Sequence, residues 1–159
     1  MEIRPAPPPM QFRDYTPNDR AACIAIFDTN VGDYFVDGER QEFAEFLISP
    51  PGPYLVLETG SGEVVGCGGY ALREGGKTAD LCWGMIARTH HRKGLGRMLT
   101  EERLGRIERE PDVLSVVLGT SQHTTGFYEG LGFVVEANVP DGYAPGIDRC
   151  DMRLRLDRG

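Results

Sequence analysis

The stretch Leu81–Leu99, LCWGMIARTHHRKGLGRML, decides the fold of this 159-residue chain. It begins with an almost continuously apolar run, which is typical of a strand buried on both faces of a sheet. A basic turn follows, and Gly94 and Gly96 stand where a helix would open. The unpaired amides of a helix's first turn favour an anion, and glycine lets a phosphate approach the backbone closely. The stretch therefore predicts a strand, a phosphate-binding turn and a helix.

Neither of the two best-known nucleotide-binding motifs fits this turn. The pattern G-x-x-x-x-G-K-[ST] is absent, and the dinucleotide fingerprint would require a third glycine where Leu99 stands. Because short glycine motifs are weak signals, an ordinary strand–turn–helix with incidental glycines is an alternative on these residues alone. Arg92, Lys93 and Arg97 nevertheless concentrate positive charge at this turn.

Length and composition indicate one globular domain with an acidic balance. Hydrophobic residues make up 40% of the chain and charged residues 26%, and the net charge is −7 at pH 7. Binding of nucleic acid rests mainly on cationic contacts to phosphate, so this charge argues against nucleic acid and suits a cationic amine. The longest apolar runs span about seven residues, whereas a transmembrane helix needs about 20, so we expect no membrane association.

The N-terminal stretch and the cysteines lead us to expect a cytoplasmic protein. Residues 1–9 contain four prolines and no apolar run, which predicts an extended, proline-rich lead-in rather than a signal peptide. Residues 10–159 are expected to form the single domain. The four cysteines show no C-x-x-C spacing, so we expect free thiols in a reducing compartment and no metal site.

Outward from the glycine turn, periodicity and turn signals predict the order β-α-α-β-β-β-α-β-α-β-β. Thr16–Asp19, TPND, has the residues of a helix start with a capping box. Thr59–Gly62, TGSG, joins two strands as a hairpin. The closing strands are expected at Phe133–Asn138 and Asp151–Leu156. The fold class is α/β (α+β), with a mixed, largely antiparallel central sheet flanked by helices.

A second motif follows a predicted strand about 30 residues after the glycine turn. Tyr128–Phe133, YEGLGF, fits the pattern Y-x-x-x-G-F, and His91–Gly96, HRKGLG, fits [QR]-x-x-G-x-[GA] except at its first position. These paired motifs and the order of elements resemble the GCN5-related N-acetyltransferase (GNAT) superfamily over nearly the whole chain. The resemblance implies transfer of an acetyl group from acetyl-CoA to a primary amine of a small molecule or peptide.

The resemblance also implies a set of cofactor-binding positions. The turn would bind the CoA pyrophosphate through backbone amides, and the preceding strand would pair with the pantetheine arm. The implied positions are Met85, Ile86, Ala87, His91, Arg92, Lys93, Gly94, Leu95, Gly96, Arg97, Ser121 and Gln122. Two departures stand out, because His91 replaces the usual Gln or Arg and Ser121 replaces a common Asn.

Tyr128 matches the family's usual general acid. A thiol has a pKa near 8.5 and a phenol near 10, so a placed hydroxyl can protonate the departing CoA sulfur. The alternative for Tyr128 is a core aromatic.

Asp80 matches the position of the family's general base. Its alternative is an exposed carboxylate at the start of a strand. His90, His91 and His123 are rival bases. No motif supplies a covalent nucleophile, so we expect direct transfer in a ternary complex, with Cys82 and Cys150 as the only cysteines near the site.

The acceptor would be held by the segment between the first two helices and by late strands. Tyr34, Phe35, Trp83 and Tyr143, with Asp33 and Asp37, would suit a cationic amine with an apolar body. The alternative for these residues is core packing and a structured turn.

Two rival functions are a non-catalytic acyl-CoA sensor or interaction module, and an unrelated phosphate-binding fold. A homodimer is possible by analogy with relatives.

Overall fold

The computed structural model describes residues 10–32, 35–36 and 38–158. The predicted lead-in of residues 1–9 lies outside this range, as do the candidate acceptor residues Asp33, Tyr34 and Asp37. Within the described ranges, no helix is long and apolar enough to cross a membrane.

The element order is the predicted one. The strands are β1 (Gln11–Asp14), β2 (Tyr54–Glu58), β3 (Val64–Arg73), β4 (Thr78–Ile86), β5 (Ser115–Thr120), β6 (Val134–Ala144) and β7 (Ile147–Arg155). The helices are α1 (Arg20–Thr29), α2 (Glu39–Phe46), α3 (Leu95–Glu108) and α4 (Thr125–Glu129). Short 3-10 turns occupy Pro17–Asp19, Glu74–Gly76 and Arg88–His90. The expected capping box is present at the first of these turns, where the Thr16 backbone N–H donates to Asp19 Oδ2 at 2.8 Å.

The strands form one seven-stranded sheet in the order β1-β2-β3-β4-β5-β7-β6. Every neighbouring pair is antiparallel except β4 and β5, which are parallel. This confirms the mixed, largely antiparallel class. The parallel register is short, because it runs from Thr78–Ser115 only as far as Asp80–Val117. Beyond that pair the two central strands separate, which leaves a gap in the middle of the sheet.

Two apolar clusters place the helices on opposite faces of the sheet. On one face, Phe27 of α1 and Phe43 of α2 pack with Met85 of β4, and we call this the α1–α2 face. On the other, Ala79 of β4 and Ile107 of α3 share a cluster against which α4 also packs, and we call this the α3–α4 face. Successive side chains of a strand point to opposite faces, so Asp80 lies on the α1–α2 face.

Strand β4 carries a bulge just beyond the point where it leaves β5. Its register with β3 shifts between Cys82 and Met85, and Trp83 in the bulge has a φ of 43°. A Cβ atom at Gly84 would lie 2.6 Å from Arg103 Nη2 of α3, so a larger residue there would have to displace the Arg103 guanidinium. Arg103 is itself 2% exposed. Because a bulge bends its strand and increases its twist, this feature directs β4 away from β5.

The glycine turn is fastened to the end of α1. The Ile86 carbonyl at the end of β4 accepts hydrogen bonds from Asn30 Nδ2 at 2.9 Å and from His91 Nε2 at 2.7 Å. Arg88 Nε donates to the Thr29 carbonyl at 2.7 Å. Gly94 then stands at the N-cap of α3 with a φ of 77°, a left-handed conformation that glycine adopts at little cost. The predicted strand, turn and helix are therefore all present.

The prediction for the closing strands was too short. Strand β6 continues past Asn138 to Ala144, and β7 already begins at Ile147. Asp141 and Gly142 resemble part of a turn in the sequence, but they lie inside β6, where the register is irregular between Val139 and Ala144. The result is a long hairpin with its turn at Pro145 and Gly146.

Candidate active site

The gap between β4 and β5 begins beside Asp80. Its carboxylate forms an ion pair with Arg73 of β3, and its side chain is only 16% exposed. Burial raises the pKa of Asp80 above its ordinary value, the Arg73 charge opposes this rise, and Asp151 adds to it. The structure does not support the alternative of a freely exposed carboxylate. A half-buried carboxyl with a raised pKa at the edge of a gap has the character of a proton acceptor.

Tyr128 lies on the opposite face of the sheet. Its ring packs on the α3–α4 cluster, edge-to-face with Phe133 at 5.8 Å and with Phe127 at 5.0 Å between ring centroids. The ring therefore has the packing of a core aromatic. Among the described residues, however, none forms a hydrogen bond with its hydroxyl, which leaves that group available to a ligand. Asp80 and Tyr128 thus lie on opposite faces of the sheet.

The start of α3 offers backbone amides in open surroundings. No atom lies within 4 Å of the place a Cβ would take at Gly94, and at Gly96 the nearest is Phe127 Cζ at 3.9 Å. The first amides of a helix have no partner within it, and they attract anions. Arg92 and Lys93 are exposed beside them, and Arg97 pairs with Glu101 at 2.7 Å on the helix surface.

Four of the predicted cofactor-binding residues have side chains directed elsewhere. Met85, Ile86 and Leu95 are buried in the apolar clusters. The His91 ring is held against the Ile86 carbonyl. Ala87 is half-buried, and its N–H donates to the Val65 carbonyl at 2.8 Å. What Met85, Ile86 and Leu95 can offer a ligand is therefore their backbone.

The segment after β5 holds Ser121 and Gln122. Ser121 is buried, and its Oγ accepts a hydrogen bond from the His123 N–H at 3.3 Å, at the start of α4. The Gln122 side chain turns to the β6–β7 hairpin, where it bonds with Gly146 and Asp148. Both side chains therefore have partners within the protein.

Phe35 and Trp83 belong to an aromatic group beneath α1 and α2. Their ring centroids lie 5.9 Å apart, and Phe43 approaches Trp83 at 5.1 Å. The Tyr54 hydroxyl donates to the Trp83 carbonyl at 2.8 Å, which fixes the bulge from the α1–α2 face. Both candidates are only half-buried, so their core packing leaves part of each ring at the surface.

Tyr143 reaches the gap from the β6–β7 hairpin. Its hydroxyl would lie 3.0 Å from a Cβ at Gly119, and Gly119 is two residues beyond the last β4–β5 pair on the same face as Asp80. Burial, with a smaller contribution from Glu39, raises the pKa of Tyr143 to about 12. The phenol is therefore neutral at physiological pH and stands at the mouth of the gap.

Three charged residues near the gap carry no sequence motif and were missed. Glu39 and Asp151 act on Tyr143 electrostatically, and Arg73 pairs with Asp80. Burial raises the pKa of Glu39. The one local signal was the β3–β4 hairpin, whose register places Arg73 and Asp80 on one face. Contacts with Glu39 and Asp151 depend on tertiary packing, which no local pattern reveals.

The cysteines do not have the properties of a nucleophile. Burial, with the Asp80 charge, raises the pKa of Cys82 to about 11. Burial also raises the pKa of Cys150. A thiol of this kind stays protonated at neutral pH and reacts slowly. Across the part of the chain that the structure describes, no group of His, Cys, Asp or Glu could hold a metal ion.

The model of the acetyltransferase (GNAT) domain family matches residues 29–156, which is most of the chain. The chain belongs to this family. The match confirms the resemblance read from the two motifs, and with it an acyltransferase whose family uses acetyl-CoA. A search of the curated proteins finds no match.

Solved structures share the GNAT fold of this chain. A GCN5-related N-acetyltransferase from Kribbella flavida has a TM-score of 0.78 at 20% identity, covering 95% of this chain and 100% of that one. A ribosomal-protein alanine N-acetyltransferase from Escherichia coli has a TM-score of 0.78 at 18% identity, covering 94% and 96%. An aminoglycoside 6'-N-acetyltransferase complexed with coenzyme A has a TM-score of 0.75 at 14% identity, covering 94% and 99%. At these identities the likeness establishes the fold alone.

The contact between Gly119 and Tyr143 is testable by a double-mutant cycle. We expect Gly119→Ala to destabilise the GNAT domain by about 1 kcal/mol, the lower end for overpacking, because Gly119 is exposed and the new methyl group presses on the phenol oxygen of Tyr143. In a Tyr143→Phe background that oxygen is absent, so the same change should be neutral or slightly stabilising. Urea unfolding of the four proteins measures the coupling, and additive effects would place Tyr143 away from Gly119.

Proposed function

We propose that this chain is an acetyl-CoA-dependent N-acetyltransferase that moves an acetyl group directly to a primary amine of a small molecule or peptide. The observation that carries the proposal is the separation of β4 from β5 after Asp80, with Asp80 on one face of the sheet and Tyr128 on the other. The family match supports acyl transfer as the class of reaction.

The residues present fit an acyl-CoA. Past Asp80, the edge of β4 that faced β5 has no strand partner in the described sheet. The carbonyls of Trp83 and Ile86 already accept hydrogen bonds from side chains, so the remaining backbone groups of this edge are the ones that can pair with an amide-bearing arm. The open first turn of α3 suits a pyrophosphate, and Arg92 and Lys93 add positive charge beside it. The predicted positions from Met85 to Arg97 therefore act mainly through backbone, with His91 shaping the turn.

The chemistry requires one proton acceptor and one proton donor. Acetyl-CoA supplies a thioester, so the amine nitrogen forms a bond to the acetyl carbon and the carbon–sulfur bond breaks. Asp80 takes a proton from the attacking amine, directly or through water. Tyr128 gives its proton to the departing sulfur and regains one from solvent. The raised thiol pKa of Cys82 supports this direct route over a covalent cysteine intermediate.

The charges around the gap favour a cationic acceptor. Among the charged residues that act on Tyr143 or Asp80, the carboxylates Glu39, Asp80 and Asp151 outnumber the arginines Arg73 and Arg149, in a chain whose net charge is −7. Phe35 and Trp83 add aromatic surface on the same face. Among the structural neighbours, one acts on a ribosomal protein and another on an aminoglycoside, so the fold accommodates both peptide and small-molecule amines.

The proposal also includes a cellular compartment and an oligomeric state. All four cysteines are free thiols, and three of them are buried, which supports a reducing, cytoplasmic setting. Strand β6 is an edge of the described sheet and exposes Val134 and Val135, so a homodimer formed along this edge is part of the proposal.

Release of CoA thiol against a panel of primary amines tests the proposal, with Tyr128→Phe as the decisive variant. We expect kcat to fall by about 10²–10⁴-fold, because general acid catalysis contributes that much, while CoA affinity stays within about twofold. Tyr70→Phe is the matched control, since its hydroxyl faces Glu110 in the same cluster and its loss should leave kcat unchanged. CoA binding without thiol release from the wild type would favour a non-catalytic sensor.

Asp80 should set the acidic limb of the pH–rate profile. Its pKa lies above the ordinary carboxyl value, so kcat should rise with pH as Asp80 loses its proton. Asp80→Asn should remove this limb and lower the plateau. Arg73→Met should move the limb to higher pH, because the Arg73 charge opposes the rise in the Asp80 pKa.

The exposed Arg40, which pairs with Asp28 at 2.8 Å, provides the control variant Arg40→Met. Its profile should coincide with that of the wild type. The same amine is used throughout, so its own titration is common to all variants. An unchanged limb in Asp80→Asn would exclude Asp80 as the base.

A further inference from the structure

The side chain of Gln122 forms a two-point clamp on the β6–β7 hairpin. Its Nε2 donates to the Gly146 carbonyl at 2.8 Å, and its Oε1 accepts from the Asp148 N–H at 2.8 Å. The partners lie 24 and 26 residues away along the chain, so these bonds are tertiary. One planar amide satisfies an acceptor in the hairpin turn and a donor two residues later in β7. The β5–β7 ladder ends at Thr120–Cys150, so this clamp ties the tip of the hairpin beyond that pair to the segment after β5.

The tip of the hairpin is otherwise closed by bonds within itself. The Gly146 N–H donates to Asp141 Oδ1 at 2.7 Å, and the Asp141 N–H donates to Asp148 Oδ1 at 2.9 Å. These bonds shape the turn, but they cannot set its place over the sheet. Among the bonds described for residues 146–148, those that reach outside the hairpin come from Gln122.

The hairpin in turn places Tyr143 at the gap. Tyr143 lies near the end of β6, one residue before the last paired residue, Ala144. Its hydroxyl rests against Gly119 of β5, and Gln122 follows the end of the same strand by two residues. Strand β5 forms one wall of the gap, and it contacts Tyr143 at Gly119. The segment just after β5 holds the tip of the hairpin through Gln122.

We propose that Gln122 is a positioning residue for the acceptor side of the active site, which acts by holding the hairpin so that Tyr143 stands over Gly119. The sequence pattern suggested a contact with the cofactor instead, but both polar atoms of the side chain are engaged with the hairpin. This inference rests on the proposed function, because it takes the Asp80 face of the gap as the entry for the amine.

Two measurements that need no turnover test the clamp. In Gln122→Ala, we expect hydrogen exchange of the Asp148 amide to accelerate by about 2- to 12-fold, since a lost hydrogen bond of ordinary strength has an effect of that order. CoA affinity, measured by calorimetry, should stay within about twofold of the wild type. Gln41→Ala is the matched control, because that glutamine bonds only to Glu45 on the surface of α2 among the described contacts.

Gln122→Glu separates the two bonds. A carboxylate keeps an acceptor for the Asp148 N–H but has no donor for the Gly146 carbonyl. The Asp148 amide should therefore stay protected, while the KM for an amine that supports thiol release should be intermediate. Gln122→Ala should raise that KM by about tenfold and leave kcat and the KM for acetyl-CoA within about twofold.

A large loss of CoA affinity in Gln122→Ala with unchanged Asp148 exchange would overturn the proposal and make Gln122 a cofactor ligand. Unchanged exchange together with an unchanged amine KM would also overturn it. A wild-type protein that fails to bind CoA contradicts the proposed function itself, and this result differs from either variant-specific outcome.

Discussion

The separation of β4 from β5 after Asp80 and Val117 is the constraint on which the rest of this site depends. Two central strands that part in the middle of a sheet leave backbone groups that the ladder would otherwise satisfy, and such groups need other partners. The bulge at Trp83 and Gly84 follows directly after this point, and the buried Arg103 guanidinium occupies the space that a side chain at Gly84 would need. Tyr54 holds the same bulge from the other face.

The gap has two chemically different sides because side chains alternate along β4 and β5. The α3–α4 face supplies an aromatic surface that carries Tyr128 and the anion-attracting start of α3. The α1–α2 face supplies Asp80 and the phenol of Tyr143, in surroundings rich in carboxylates. The start of α3 would suit a negatively charged acyl donor, and the face with Asp80 would suit the cationic acceptor that we propose.

The order of elements, the sheet class and the strand–turn–helix at Gly94 were predictable, because hydrophobic periodicity and glycine placement are local signals. Tyr128 was assigned from its motif, and its role as general acid stays a prediction. The roles of His91 and Gln122 were not, since each side chain bonds to a residue that sequence spacing does not identify. The length of β6 was missed because Asp141 and Gly142 resemble a turn. Arg73, Glu39 and Asp151 near the gap depend on tertiary packing, which no single-chain pattern encodes.

The central claim is that an acyl-CoA occupies the gap between β4 and β5 and the first turn of α3. Amide hydrogen exchange with and without CoA tests it most directly. The account predicts slower exchange, by about tenfold or more, at amides of Gly84–Ile86 and Leu95–Arg97, because bound CoA would accept or shield their N–H groups. Protection confined to other surfaces, or no protection at saturating CoA, would contradict it.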